Sequence, residues 1–176
     1  MHHAETPSTD PHPRSDAPHP LSADEPAGTS PLLLAYGTLR EGVPTYLDTV
    51  LPHLATVTRG IRVPGRLFDV VHYPAAVLDS AALSGAAART AHVTCDLVTI
   101  TDTDIPVALA ALDHYEALDE PQPMYARVPV SLAALGLAPH VATDGATWHT
   151  AWFYTWIAAT DDLAEVRTGE WTAGGV

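Results

Sequence analysis

The sequence predicts an α+β domain built on a mixed β-sheet, and three observations carry that prediction. Short apolar runs bounded by turn residues recur from residue 32 onward, one segment carries a clear helical period, and too few helices separate the runs for a strictly parallel sheet. No period of 20 to 50 residues repeats, which excludes a solenoid or a propeller.

Taken in order, residues 1–30 are rich in Pro, Asp, Ser, Thr, Ala and His, with Leu21 the one large aliphatic residue after Met1. Such a segment cannot offset its ordering entropy by burial, so it reads as a disordered leader before a domain at 31–172 and a flexible end at 173–176. Its four histidines are irregularly spaced among prolines and read as solvated rather than as a metal tract. Leu32 to Tyr36 reads as a buried strand, and Pro44 to Leu54 as a short helix with Leu47, Val50, Leu51 and Leu54 at helical spacing. Val57 to Val63 and Arg66 to Val70 read as two strands meeting near Pro64 and Gly65. His92 to Ile100, Tyr125 to Leu132 and Thr147 to Ile157 complete the strands. Asp104 to Leu118 is the clearest helix, with Asp104 as its cap and Pro106 in its first turn.

A chain of 176 residues suffices for one well-buried core and is short for two. Its net charge of -13, with only 8 scattered basic residues, works against a nucleic-acid partner, and none is expected, because such association depends on clustered cations. One cysteine, Cys95, forms no internal disulfide, and no run approaches the roughly 20 apolar residues of a membrane span. No signal-peptide pattern opens the chain, so the expected setting is soluble and cytoplasmic, with no membrane partner.

On the helix Asp104 to Leu118, Ile105, Leu109, Leu112 and Glu116 fall on one stripe at spacings of four, three and four. Glu116 therefore points toward the core, where desolvation would bring its pKa toward neutrality, the property of a general base. The alternative is a helix that ends near His114 and leaves Glu116 in water. On the stripe alone the two readings stand level. Asp113, at the stripe's edge, reads equally as a capping or solvated carboxylate. The strand Leu32 to Tyr36 runs into Gly37 and Thr38, a turn whose successive N–H groups suit a carboxylate, although most such turns are only turns. There is no GxGxxG or P-loop spacing to support a phosphate site.

Several short motifs, in order, resemble the γ-glutamylcyclotransferase, or AIG2-like, superfamily. Tyr36, Gly37, Thr38, Leu39 and Arg40 resemble its YGTLR signature, and Gly65, Arg66, Leu67 and Phe68 resemble its GxLY strand. Tyr73, Pro74 and Ala75 resemble its YPA element, and Leu112, Asp113, His114, Tyr115 and Glu116 its LDxxE helix end. Tyr125, Ala126 and Arg127 resemble the following YxR strand, and Gly169, Glu170 and Trp171 a tail motif. The chain departs at Cys95, Asp96, Leu97 and Val98, where relatives often carry a second Gly, Glu, Leu, Tyr strand.

The resemblance implies a small closed mixed β-barrel of about six strands with a few flanking helices. It implies no cofactor and no metal, and a small-molecule γ-glutamyl substrate cyclised to 5-oxoproline with release of an amine. It implies Glu116 as the catalytic acid/base, and Tyr36, Gly37, Thr38, Leu39 and Tyr125 as substrate-binding residues, the loop acting through the N–H groups from Gly37 to Leu39. A non-catalytic binding module for a γ-glutamyl-like metabolite on the same fold is the second reading. Arg40 and Arg127 read first as ion-paired structural residues and second as carboxylate ligands. Cys95 and His92, three apart on a strand, fall on opposite faces and do not form a nucleophile or metal pair. Trp148, Trp152, Tyr154 and Trp156 share parity on one strand and read as core or cavity rim, since no basic groove accompanies them.

Overall fold

The run Leu32, Leu33, Leu34, Ala35 has no polar face, and such a strand is stable only with both faces covered. In the computed structural model, which describes residues 30–40, 53–71, 73–88, 90–101 and 104–172, this run is β1 (Leu32–Ala35), with every residue buried. It lies inside a mixed sheet, antiparallel to β4 (His92–Ile100) with Leu33 opposite Val98, and parallel to β8 (Thr150–Trp156) with Leu33 opposite Trp152. Its alternation divides the core. Leu33 and Ala35 join Phe68, Val98, Ile100, Leu109, Leu112 and Tyr154, beneath the helix Ile105–Tyr115. Leu32 and Leu34 join Val63, Leu67, Val93, Cys95, Leu97 and Phe153 on the other face.

The full order is β3-β2-β4-β1-β8-β5, with β2 at Leu54–Asp69, β3 at Pro74–Leu78 and β5 at Tyr125–Ser131. A short β9 (Ala164–Glu165) adds to β2, while β6 (His140–Val141) and β7 (Thr147–Trp148) form a separate two-stranded piece. The expected small mixed barrel is present as six strands curled into a half-barrel. Side chains bridge its last gap. Thr155 Oγ1 donates to the Ala76 carbonyl at 3.2 Å and accepts the Leu78 N–H at 3.3 Å, and the Tyr125 hydroxyl donates to the Pro74 carbonyl at 2.8 Å.

Three expectations need correction or placing. The two strands expected on either side of Pro64 and Gly65 are the single strand β2, which pairs with β4 up to Pro64 and with β3 from Gly65 onward. The Pro-Gly pair thus marks a corner where a strand changes partner. Gly65 is required there because a Cβ would stand 2.6 Å from the Val77 carbonyl oxygen. The run Thr147 to Ile157 divides at His149, so parity is lost: Trp148 packs with Phe153 in one cluster, Tyr154 and Trp156 in the other. The helix expected from Pro44 to Leu54 falls at residues 44–52 outside the described residues, and Leu54 opens β2.

Candidate active site

The helix Ile105–Tyr115 starts as its sequence requires: Asp104 Oδ1 accepts the Val107 N–H at 3.1 Å, and Pro106 lies in the first turn. It ends in a tight reversal, in which the N–H groups of Glu116, Ala117 and Leu118 donate to the carbonyls of Leu112, His114 and Asp113. Ala117 takes the left-handed position there, at φ 56°, where glycine is the usual residue. Each of the two readings of Glu116 was half right. The helix does stop at Tyr115, yet Glu116 continues the buried line of Leu109 and Leu112 and lines a cavity of about 390 Å³.

Tyr36, Thr38, Tyr73, Pro74, Tyr115, Ala117, Met124 and Tyr125 form the rest of that wall. Burial alone pushes the Glu116 carboxyl up to about 7, even though part of the residue faces the open cavity. Burial, and to a smaller extent the same carboxyl, holds the Tyr36 and Tyr125 hydroxyls well above the usual tyrosine range. Both hydroxyls are fixed by backbone carbonyls, Tyr36 donating to Tyr154 at 2.6 Å and Tyr125 to Pro74.

The loop that follows β1 is a single 3-10 turn, Gly37–Leu39. Gly37 has φ 55°, and a Cβ on it would run into the Pro74 ring, so both conformation and space demand glycine. The expected row of N–H groups from Gly37 to Leu39 is shorter than supposed. The Leu39 N–H donates to the Tyr36 carbonyl at 3.1 Å, and the Leu39 side chain is buried in the core at 2 % exposure. Leu39 is therefore a packing residue, not a wall of the cavity. The N–H groups of Gly37 and Thr38 have no backbone partner among the described residues.

Arg40 and Arg127 both stand in ion pairs. Arg40 pairs with Asp96 through Nε at 3.2 Å and with Glu170 at 3.0 Å, so the end of the loop is tied to β4 and to the tail. Gly169 fits the same joint: its carbonyl accepts the Thr94 N–H at 2.7 Å, and a Cβ on it would collide with the His92 carbonyl. Arg127 pairs with Asp113 at 3.2 Å and lies 4.8 Å over the Trp152 ring. Asp113 also accepts the Tyr154 hydroxyl at 2.8 Å, which keeps this carboxylate engaged outside the cavity wall. His114 is exposed and pairs with Asp119 at 2.8 Å. Cys95 is buried in the far core, where burial pushes its thiol up, while His92 meets Arg62 at 2.9 Å. Tyr73, Pro74, Tyr115, Ala117 and Met124 were not singled out as site residues from sequence. Tyr73 and Pro74 belong to the YPA element and Tyr115 to the LDxxE end, so a signal existed for three of them.

The model of the family described as gamma-glutamyl cyclotransferase, AIG2-like, matches residues 33–173. The chain belongs to this family. Its fold is similar to that of an uncharacterized protein from Pyrococcus horikoshii, at 17% identity and a TM-score of 0.50, over 80% of this chain and 89% of that one. It is also similar to a uropathogenic E. coli-specific protein, at 17% identity and a TM-score of 0.51, over 82% of this chain and 94% of that one. At such identities the likeness is one of fold. No curated protein matches the sequence. Among the described residues of this γ-glutamyl cyclotransferase family member, no helix is long and apolar enough to cross a membrane.

Proposed function

We propose that the chain cyclises the γ-glutamyl group of a γ-glutamyl amide to 5-oxoproline, with Glu116 as the acid/base. The observation that carries this reading is the Glu116 carboxyl, which burial brings to about 7 with no cation among the described residues lining its cavity, whose wall also includes Thr38 from the turn after β1. The substrate supplies its own nucleophile. Its α-amine attacks the γ-carbonyl carbon, a C–N bond forms in the five-membered ring, and the bond to the leaving amine breaks. On the way from α-ammonium to lactam N–H the nitrogen sheds two protons, one before the attack and one as the ring forms. The ionised carboxylate relays each in turn to the departing nitrogen, which leaves as an ammonium, so the enzyme ends as it began. Holding the two ends of the glutamyl group in contact supplies much of the acceleration, up to roughly 7 to 11 kcal/mol for well-oriented intramolecular reactions. The N–H groups of Gly37 and Thr38 suit the α-carboxylate. Tyr36 and Tyr125 shape the wall, their hydroxyl protons already directed at carbonyls. We place this chemistry in the cytoplasm, which the single cysteine does not oppose.

The test is Glu116→Gln, assayed by 5-oxoproline release from a panel of γ-glutamyl amines and peptides. Turnover should fall by about 10² to 10⁴-fold while the affinity for substrate changes little. Wild-type activity should rise as pH climbs through about 7, because only the ionised carboxyl accepts a proton. A variant that stays within a few-fold of wild type on a substrate the wild type cyclises would sink the assignment.

A further inference from the structure

The helix Ile105–Tyr115 packs on the core through Leu109 and Leu112, and apolar packing of that kind is non-directional. One residue supplies direction. Within the helix, the side-chain bonds to the sheet come from Asp113, whose Oδ1 accepts the Tyr154 hydroxyl of β8 at 2.8 Å and meets Arg127 Nε of β5 at 3.2 Å. Arg127 is itself seated over the Trp152 ring, and its Nη1 is buried with no hydrogen-bond partner. An unsatisfied buried donor is a cost to the fold, carried here with the guanidinium turned to Asp113. Tyr154 faces two ways. Its hydroxyl holds Asp113, and its carbonyl accepts the Tyr36 hydroxyl at 2.6 Å, just before the turn Gly37–Leu39.

Resting on the cyclotransferase reading, we propose that Asp113 is a positioning residue for Glu116, fixing the helix end to β5 and β8 so that the carboxyl stays in the cavity. Residues three apart on a helix are surface neighbours, and the Glu116 N–H, donating to Leu112 at 2.9 Å, keeps Glu116 in the same turn as Asp113. Beyond Glu116 the chain leaves through Ala117 at φ 56° toward the exposed residues 119–124, so the anchor lies upstream. Asp113 does not line the cavity itself and acts through this placement. The groups that face the carboxyl are tyrosines: Tyr36 from the turn after β1, Tyr73 from before β3, Tyr115 from its own helix and Tyr125 from β5. Tyr154 lies within its electrostatic reach from β8, while His114 and Asp119 are exposed and paired with each other. Among the described residues no second charge lines the cavity. Burial is what lifts the Glu116 carboxyl to about 7, so water admitted by a loosened helix end returns it toward the ordinary glutamate range.

The experiment takes two readings on the full chain: 5-oxoproline release, and the titration midpoint of the Glu116 carboxyl by NMR of protein labelled at its glutamate carboxyls, assigned with Glu116→Gln. Asp113→Ala should lower kcat by about 10 to 10²-fold with KM within about threefold, the mark of a misplaced group rather than a lost binding contact. Its Glu116 midpoint should fall by about one pH unit or more. Asp113→Asn keeps the acceptor oxygen and should restore most of both readings. Tyr154→Phe removes one hydroxyl and keeps the ring, so it carries the test if Asp113→Ala does not fold, and it should move both readings the same way by less. Asp113→Ala and Tyr154→Phe proteins that melt earlier yet keep kcat and the midpoint would overturn the proposal, leaving Asp113 a structural residue. An Asp113→Asn protein as impaired as Asp113→Ala would overturn it too, since charge rather than placement would then matter. If the wild type releases no 5-oxoproline, the cyclisation reading fails, whereas the titrations of Asp113→Ala and Tyr154→Phe still decide the placement.

Discussion

Asp96 and Glu116 are two carboxylates that serve the same loop, Tyr36 to Arg40, under opposite conditions. Asp96 is 1% exposed and fully engaged: it accepts Arg40 Nε at 3.2 Å, Arg40 Nη2 at 3.4 Å and the Gly60 N–H at 3.0 Å. Glu116 lines the cavity, where no cation is found among the described residues, and burial brings its carboxyl to about 7. A buried carboxylate held by a guanidinium and a backbone N–H is an anchor. An unpaired one can gain and lose a proton within the physiological range. Arg40 is placed where the loop must be held, and among the described residues no cation lines the cavity where we place the proton transfer.

The strongest way to break this comparison is to remove the partner of Asp96. Arg40→Met leaves a buried charge uncompensated and should cost about 3 to 5 kcal/mol of stability, read by chemical denaturation. Adding Asp96→Asn should recover most of that loss, since the amide oxygen still accepts the Gly60 N–H without a charge.

Glu116 should behave in the opposite sense. Its folded-state pKa is raised, so the folded state binds the proton more tightly than the unfolded chain does. That advantage is full below about pH 4.5 and is lost as pH rises through about 7. Glu116→Gln should therefore stabilise the protein at pH 8 by roughly 2 to 4 kcal/mol and have little effect near pH 4. Equal effects at both pH values would show that the carboxyl is not held neutral by its surroundings. The smallest effect sharpens the anchor. Glu170, the second partner of Arg40, has a 54% exposed side chain, so Glu170→Gln should cost under about 1 kcal/mol in the same denaturation assay.

The sequence made some of this legible and hid the rest for physical reasons. The strand His92 to Ile100 and the helix after Asp104 were readable because an alternating run and a capped 3.6-residue period are local signals. The continuity of β2 was not, because Pro64 and Gly65 carry the same local signature at a corner as at a chain break, and only the change of partner from β4 to β3 separates them. The stripe aimed Glu116 correctly, but whether the helix ended before it depended on Ala117 adopting a conformation that an alanine gives no hint of. Leu39 was assigned by its neighbours in a motif. Its N–H turned out to close the turn itself, which no spacing argument distinguishes from an N–H that is available. The wall formed by Tyr73, Tyr115 and Met124 gathers residues from three separate segments, a convergence that only the fold creates.

The seam bridged by Thr155 has a consequence for how the molecule breathes. Between β3 and β8 the link is one hydroxyl rather than a ladder of backbone bonds, so this joint can part without disturbing β1 or β4. In deuterated water the seam-facing amides of β3 and β5 should exchange well ahead of those in β1, which is buried between two partners. Pro74 and Tyr125 belong both to this joint and to the cavity wall. A ligand held between them should therefore slow exchange along the whole seam, reporting occupancy through hydrogens that it never touches.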